Sequence, residues 1–229
     1  MKHIKEFDRF AQDYQKYKII QSKVAKHLVD NSPYKGRFIL DIGAGSGEVY
    51  HNIDWEYERF YALDLSSNML QHHPRKNVET ILCDFDEGEC WEKIAKLHID
   101  EIFASSSLQW SKDLDQLFWQ LKTITPHINL ALFTSKTFAT MHAMLGISSP
   151  IRDAQTLLNI ARKYFKFNYE VRQYKLFFSK TEDIFRYIKK SGVSSGYKRA
   201  KIGALRRLMR EYPYNYLEFE VVFIWSKSS

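Results

Sequence analysis

Arg37-Phe38-Ile39-Leu40-Asp41-Ile42-Gly43-Ala44-Gly45-Ser46-Gly47 is the stretch that decides the fold. A short apolar run ends in alternating glycines, which is how a buried strand enters a tight loop. Glycine suits such a loop because the backbone turns sharply and approaches a ligand with no Cβ in the way. The spacing is Gly-x-Gly-x-Gly, a poorer match to the dinucleotide fingerprint Gly-x-Gly-x-x-Gly, and no Gly-x-x-x-x-Gly-Lys-Ser/Thr stretch is present for a nucleotide phosphate. Glu48-Val49-Tyr50 follows as a helix start.

Further strands are expected at Arg59 to Leu63, Val78 to Leu82, Glu101 to Ser105 and Asn129 to Thr134, with helices at Ser67 to His73, Trp91 to Leu97 and Leu114 to Ile124 between them. Strands alternating with helices predict an α/β chain with a parallel sheet. Before the glycine loop, apolar residues at Phe7, Phe10, Ala11, Tyr14, Tyr17, Ile20, Val24 and Leu28 recur every three or four positions, giving an N-terminal helical cap over residues 1–30. After Ser135 come helices at Phe138 to Leu145 and Asp153 to Tyr164, an extended run from Asn168 to Phe178, and helices at Thr181 to Lys190 and Lys201 to Glu211. The final strand, Leu217 to Trp225, is apolar enough to be central. One domain is expected over residues 1–229, with a core at 36–135, a helical lid or substrate insertion at 136–212 and the last strand at 217–226.

The 229 residues carry a net charge of +7, which attracts polyanions without choosing between nucleic acid, a membrane face and an acidic protein. No signal-like or membrane-length apolar run is present, so a soluble cytoplasmic protein is expected. Cys83 and Cys90 are too few for a disulfide framework and are read as packing residues. No metal site is predicted.

Two more carboxylates fall at strand ends. Asp64 closes the second strand about 20 residues beyond the glycine loop, where an acid accepts ribose hydroxyls. Asp84 closes the third and suits an adenine amino group. Turns and helix N-caps use the same residue type, so these acids are informative only as a set.

As a set, Asp41-x-Gly43-x-Gly45-x-Gly47 and Asp64-Leu65-Ser66-Ser67-Asn68-Met69-Leu70 resemble the class I S-adenosylmethionine-dependent methyltransferases over roughly residues 36 to 135. The resemblance implies a Rossmann-like seven-stranded methyltransferase sheet with helices on both faces and a helical lid. It also implies S-adenosyl-L-methionine as cofactor, held by Asp41, Gly43, Ala44, Gly45, Gly47, Asp64, Leu65, Met69, Asp84, Phe85 and Ser105.

The acceptor must be read from residues outside this cradle. The fourth strand runs into Ser105-Ser106-Ser107-Leu108-Gln109-Trp110, without the Asn/Asp-Pro-Pro-Tyr tetrapeptide of amine methylation. This segment, Phe7-x-x-Phe10-Ala11-x-x-Tyr14 and Phe185-Arg186-Tyr187-Ile188-Lys189-Lys190-Ser191-Gly192 are similar to the biotin-pathway family that methylates the free carboxyl of malonyl-acyl carrier protein. Such an acceptor is already ionised at neutral pH, so alignment carries the reaction. The candidates to meet it are Tyr14, Gln109, Trp110, His142 and Arg152. Lys189, Lys190, Lys198, Arg199, Lys201, Arg206, Arg207 and Arg210 form a basic face on which an acidic carrier protein would dock. No membrane partner is expected, and a lack of aromatics interleaved on this helix argues against nucleic acid. The rival readings are a methyltransferase for another small carboxylic acid or for RNA, and a methyltransferase-like binding protein without catalysis.

Overall fold

A computed structural model describes residues 18–190 and 202–227. One seven-stranded sheet runs in the order β3-β2-β1-β4-β5-β7-β6. Its strands are β1 (Phe38–Ile42), β2 (Arg59–Asp64), β3 (Val78–Leu82), β4 (Glu101–Ser105), β5 (Ile128–Phe133), β6 (Phe167–Phe177) and β7 (Tyr216–Ser226). The strands from β3 to β5 pair parallel, while β7 is antiparallel to both β5 and β6. The order reverses at β1, whose neighbours are β2 and β4, and the crevice beyond the carboxyl ends at such a switch point is where ligands bind in open α/β sheets.

Strand pleating sends alternate residues into two apolar layers. On one face Ile39, Phe103 and Phe223 pack with Ile20, Val24 and Leu28 of helix α1 (Ile19–Asp30), and with residues of α5 (Ala139–Leu145), α7 (Thr181–Lys190) and α8 (Ile202–Glu211). On the other, Leu40, Ile42 and Ile102 pack with α3 (Gly88–Ile94), α4 (Leu114–Ile124) and α6 (Ala154–Arg162). The remaining helix, α2 (Ser67–His72), begins where the Ser66 hydroxyl accepts the Met69 amide at 3.2 Å, a side-chain N-cap. Asp113 and Asp153 cap α4 and α6 in the same way.

The structure departs from the sequence reading in four places. Glu48-Val49-Tyr50 starts no α-helix, only a 3-10 turn at Tyr50–Asn52. There the Asn52 side-chain amide donates to the Glu48 carbonyl at 2.7 Å, competing with the backbone for the bond that would continue a helix. Cys83 and Cys90 are not separate packing residues; they are joined as a disulfide with Cα atoms 5.5 Å apart. The sheet is mixed rather than parallel throughout. Finally, α6 covers the sheet through Leu157, Leu158 and Ala161, and Phe167–Phe177 is the edge strand, so neither behaves as part of a lid.

At the amino ends of the strands, buried Glu101 accepts the Ser32 hydroxyl at 2.6 Å, the Gly36 amide at 2.8 Å and the Asn129 side-chain amide at 2.7 Å. Burial nevertheless pushes its carboxyl up to about 7 against these three bonds. No described helix is long and apolar enough to cross a membrane.

Candidate functional site

The loop after β1 is pinned on two sides. The Gly43 and Ala44 amides donate to the Leu63 carbonyl of β2 at 2.8 and 2.9 Å. On the β4 side, the Ser107 hydroxyl donates to the Ile42 carbonyl at 2.6 Å. Gly43 has φ +74°, and a Cβ there would lie 2.2 Å from the Ser107 Cβ, so this position admits only glycine without displacement. Gly45 has φ +53° for a different reason. Nothing lies within 4 Å of the place a Cβ would take, and that space belongs to a cavity.

The cavity, of about 180 Å³, opens over the carboxyl ends of β1, β2 and β4. Asp41, Gly43, Ala44, Gly45, Asp64, Leu65, Met69, Phe85 and Ser105 all line it. Asp64 uses one carboxylate oxygen to accept the Gly45 amide and the other to accept the Ser66 amide, each at 2.8 Å, so it shapes the loop as well as facing the cavity.

Asp41 is different. Only 1 % exposed, it has no hydrogen-bond partner at either oxygen. Burial, then the charges of Asp64 and Glu48, hold its carboxyl well above the usual carboxylate range. Two more unpartnered buried oxygens line the same cavity: Gln21 Oε1 on α1, and the hydroxyl of Ser106, whose backbone is left-handed at φ +62°. Buried polar groups are ordinarily satisfied, so acceptors left open together mark a place for a ligand rich in donors. Across the loop, Glu48 is bonded by Lys18 and Ser22, which ties the first turn of α1 down over the cavity.

A second recess adjoins this cavity and is lined by Gln109, Trp110, Ser111, Pro150, Ile151 and Arg152. Trp110 is a wall of both. Gln109 donates to the Ser106 carbonyl at 2.8 Å while its own Oε1 is buried without a partner. The Arg152 guanidinium donates to the Ser111 carbonyl at 3.2 Å and the Lys112 carbonyl at 3.4 Å.

Comparison with known proteins agrees with this geometry. Residues 40–125 match the family model described as a methyltransferase domain. A chain from the complex between the Haloferax volcanii Trm112 methyltransferase activator and a methyltransferase superposes with TM-score 0.60 at 14 % identity, covering 99 % of this chain and 98 % of that one. The fold is that of the class I methyltransferases. A Haemonchus contortus phosphoethanolamine N-methyltransferase solved with S-adenosyl-L-methionine shares the fold, with TM-score 0.58 and 16 % identity over 99 % of this chain and 60 % of that one. The chain resembles two malonyl-[acyl-carrier protein] O-methyltransferases. The Halorhodospira halophila protein is 25 % identical over 70 % of this chain and 56 % of its own length, and the Acinetobacter baylyi protein 23 % identical over 93 % and 87 %. With the first of these, the chain spans little more than half the relative's length.

Within this methyltransferase fold, the expected site residues divide clearly. Gly47 and Asp84 do not line the cavity. Gly47 backs onto Pro74, 2.7 Å from where its Cβ would be, and the Asp84 carboxylate accepts the Asp86 amide at 2.9 Å in a turn. The next residue, Phe85, reaches the cavity instead, its carbonyl held by the Trp91 indole at 2.9 Å. Gln109, Trp110 and Arg152 come together in the recess. His142 does not join them. It is buried on α5 near Glu218, where desolvation lowers its pKa, and it lines neither the cavity nor the recess. Tyr14 lies outside the described residues, as do Lys198, Arg199, Lys201 and the side chains of Lys189, Lys190 and Arg206. Of the basic face, Arg207 and Arg210 are described; both are exposed and both pair with Glu211, at 2.7 and 2.9 Å.

Sequence reasoning passed over Gln21, Glu48, Ser106 and Ser107. Three consecutive serines at a strand's carboxyl end were a usable signal for the last two. Gln21 gave none, since it stands beside the Ile20–Val24–Leu28 stripe as an ordinary polar flank.

Proposed function

We propose that this chain is an S-adenosylmethionine-dependent O-methyltransferase acting on the free carboxyl of a malonyl thioester, carried by an acyl carrier protein in biotin biosynthesis. The observation that supports it most directly is Asp41, a buried carboxyl with two open oxygens facing a cavity at the switch point of a methyltransferase sheet. S-adenosylmethionine fits that cavity, because it is cationic and brings amino and hydroxyl donors to the open oxygens of Asp41, Gln21 and Ser106, and an adenine to a lining that is otherwise mostly apolar. Asp41, Gly43, Ala44 and Gly45 would hold its amino-acid part, Asp64 its ribose, and Leu65, Met69 and Phe85 its adenine, with Ser105 at the junction. When bound, the cofactor supplies an electrophilic methyl group on a sulfonium.

The acceptor reading draws on the recess and on the names of the relatives. Gln109, Trp110, Ser111 and Arg152 include no general base, which suits an acceptor already anionic at neutral pH. Arg152 supplies a cation able to meet a carboxylate, and Trp110 an aromatic wall between the two spaces. The basic residues from Lys189 to Arg210 would receive the acidic carrier protein.

Labelled S-adenosylmethionine offered with malonyl-acyl carrier protein, malonyl-coenzyme A and free malonate tests this directly. Transfer to the carrier protein in preference to the other two is expected. No transfer to any of the three would remove the acceptor assignment, and transfer to RNA instead would establish the main rival.

A further inference from the structure

From α1 the cavity takes a polar side chain that neither the fold nor the motifs assign. Gln21 is on α1, one position after Ile20, whose side chain is wholly buried in the α1 layer of the core. Successive helical positions differ by 100° around the axis, so Gln21 turns away from that apolar stripe and toward the sheet's carboxyl edge. Lys18 and Ser22, on the same end of the helix, reach Glu48 of the glycine loop. Asp41 shares the pleat of Ile39 and therefore faces the same side of the sheet as α1. Gln21 Oε1 and both Asp41 oxygens thus enter one cavity from its roof and its floor, all three buried and all three without a donor.

We infer that Gln21 is a cofactor-binding residue that accepts the α-ammonium of S-adenosylmethionine together with Asp41. The inference rests on the cofactor reading above and deepens it. A site offering a neutral acceptor beside an anionic one selects a cation that also carries several N–H donors. A sulfonium has charge but no donor, and an adenine amino group has donors but no charge. A primary ammonium has both, with three donors to distribute. The arrangement along the sheet agrees: Asp64 and Phe85 lie on the β2 and β3 side, where the nucleoside belongs, whereas Asp41 is in β1 and the helix of Gln21 packs over β4 and β5 on the other side. An amide suits the roof better than an acid, because Asp41 is already burdened by the charges of Asp64 and Glu48.

Two ligands separate this role from simple packing: S-adenosylhomocysteine, and 5′-methylthioadenosine, which keeps the nucleoside and thioether but lacks the amino acid. Their affinities are measured by calorimetry on the full chain for wild type, Gln21→Leu and Gln21→Met. Loss of one charge-assisted bond should weaken S-adenosylhomocysteine by about 10- to 100-fold. Methylthioadenosine should bind all three proteins alike. An equal loss for both ligands would reduce Gln21 to a structural residue of α1 and overturn the inference, as would no loss for either. If wild type binds neither ligand, the cofactor reading itself fails and takes the inference with it, a result distinct from the other two. Thermal unfolding of the free variants should match or exceed wild type, since each substitution removes an unsatisfied buried oxygen.

Discussion

Replacing Asp41 by Asn should move stability and ligand affinity in opposite directions. In the free protein the carboxyl is buried, has no hydrogen-bond partner, and faces Asp64 and Glu48. Its pKa is raised above that of the unfolded chain, so the native state binds the proton more tightly. The associated stability is fully present below the ordinary carboxylate range and is lost as pH climbs through the folded pKa. Asparagine keeps the shape and removes that loss. At pH 7 the variant should be stabler by roughly 1–3 kcal/mol, because an unpartnered buried carboxylate costs more than an unpartnered buried amide. For a chain of this size, that is about 2–12 °C in Tm. The gap between variant and wild type should shrink as pH falls toward 4. Affinity for S-adenosylhomocysteine should fall by ~10- to 100-fold, the worth of a hydrogen bond to a charged group. It should also lose the pH dependence that the raised Asp41 carboxyl imposes above the ordinary carboxylate range, where an α-amino group is still protonated. Paired thermal unfolding and calorimetric titration read both effects. A variant that is less stable yet binds normally would show Asp41 to be a structural acid and would refute the argument.

Gly43→Ala should cost at least ~2 kcal/mol by denaturant unfolding, combining a left-handed backbone with loss of the bond from Ser107 to the Ile42 carbonyl. In a Ser107→Gly background the colliding Cβ is gone, and the same change should cost about half as much; strict additivity would contradict the contact. Raised Glu101 makes stability fall by about 3 kcal/mol as pH rises from 4.5 to about 7, at 1.36 kcal/mol per pKa unit. Glu101→Gln should flatten that slope in chemical denaturation, while leaving the Gly36 amide poorly paired. Arg152→Ala should raise KM for a malonyl thioester at least tenfold with unchanged cofactor affinity, whereas a change confined to cofactor binding would remove Arg152 from the acceptor site.

How much of this could be read beforehand follows from which interactions are local. β1, β4 and β5 announce themselves as apolar runs bounded by turn residues, β6 shows only as an extended run of mixed polar and apolar residues, and β7 could be placed centrally because Val221 to Trp225 leaves no face for water. The segment Asp64 to Met69 was legible for a similar reason: Ser66 caps its own helix, so motif and local structure coincide. His142 misled because a histidine after the fifth strand looks like chemistry, while its burial on α5 depends on the packing of Phe138 and Met141 on a distant β7. Of the two neighbours expected at the cofactor, Phe85 lines the cavity and Asp84 does not, since a one-residue choice of turn decides which side chain reaches it. The disulfide depends on bringing the end of β3 against α3, and no pattern within seven residues encodes that approach. Gln21 needed the whole assembly, because only the cavity on its far side makes an ordinary helix flank unusual.

The bonding of Glu48 has a kinetic consequence. Past its first turn, α1 is rooted by Ile20, Val24 and Leu28 in a dry layer, but its start is fastened to the glycine loop by one ammonium and one hydroxyl. The roof of the cavity is therefore a flap with a greasy hinge and an ionic latch. The Lys18 and Glu48 side chains are only 13 % and 17 % exposed, so salt screens the latch little; Glu48→Gln, which removes its charge, should speed cofactor entry and exit together while leaving global unfolding nearly untouched.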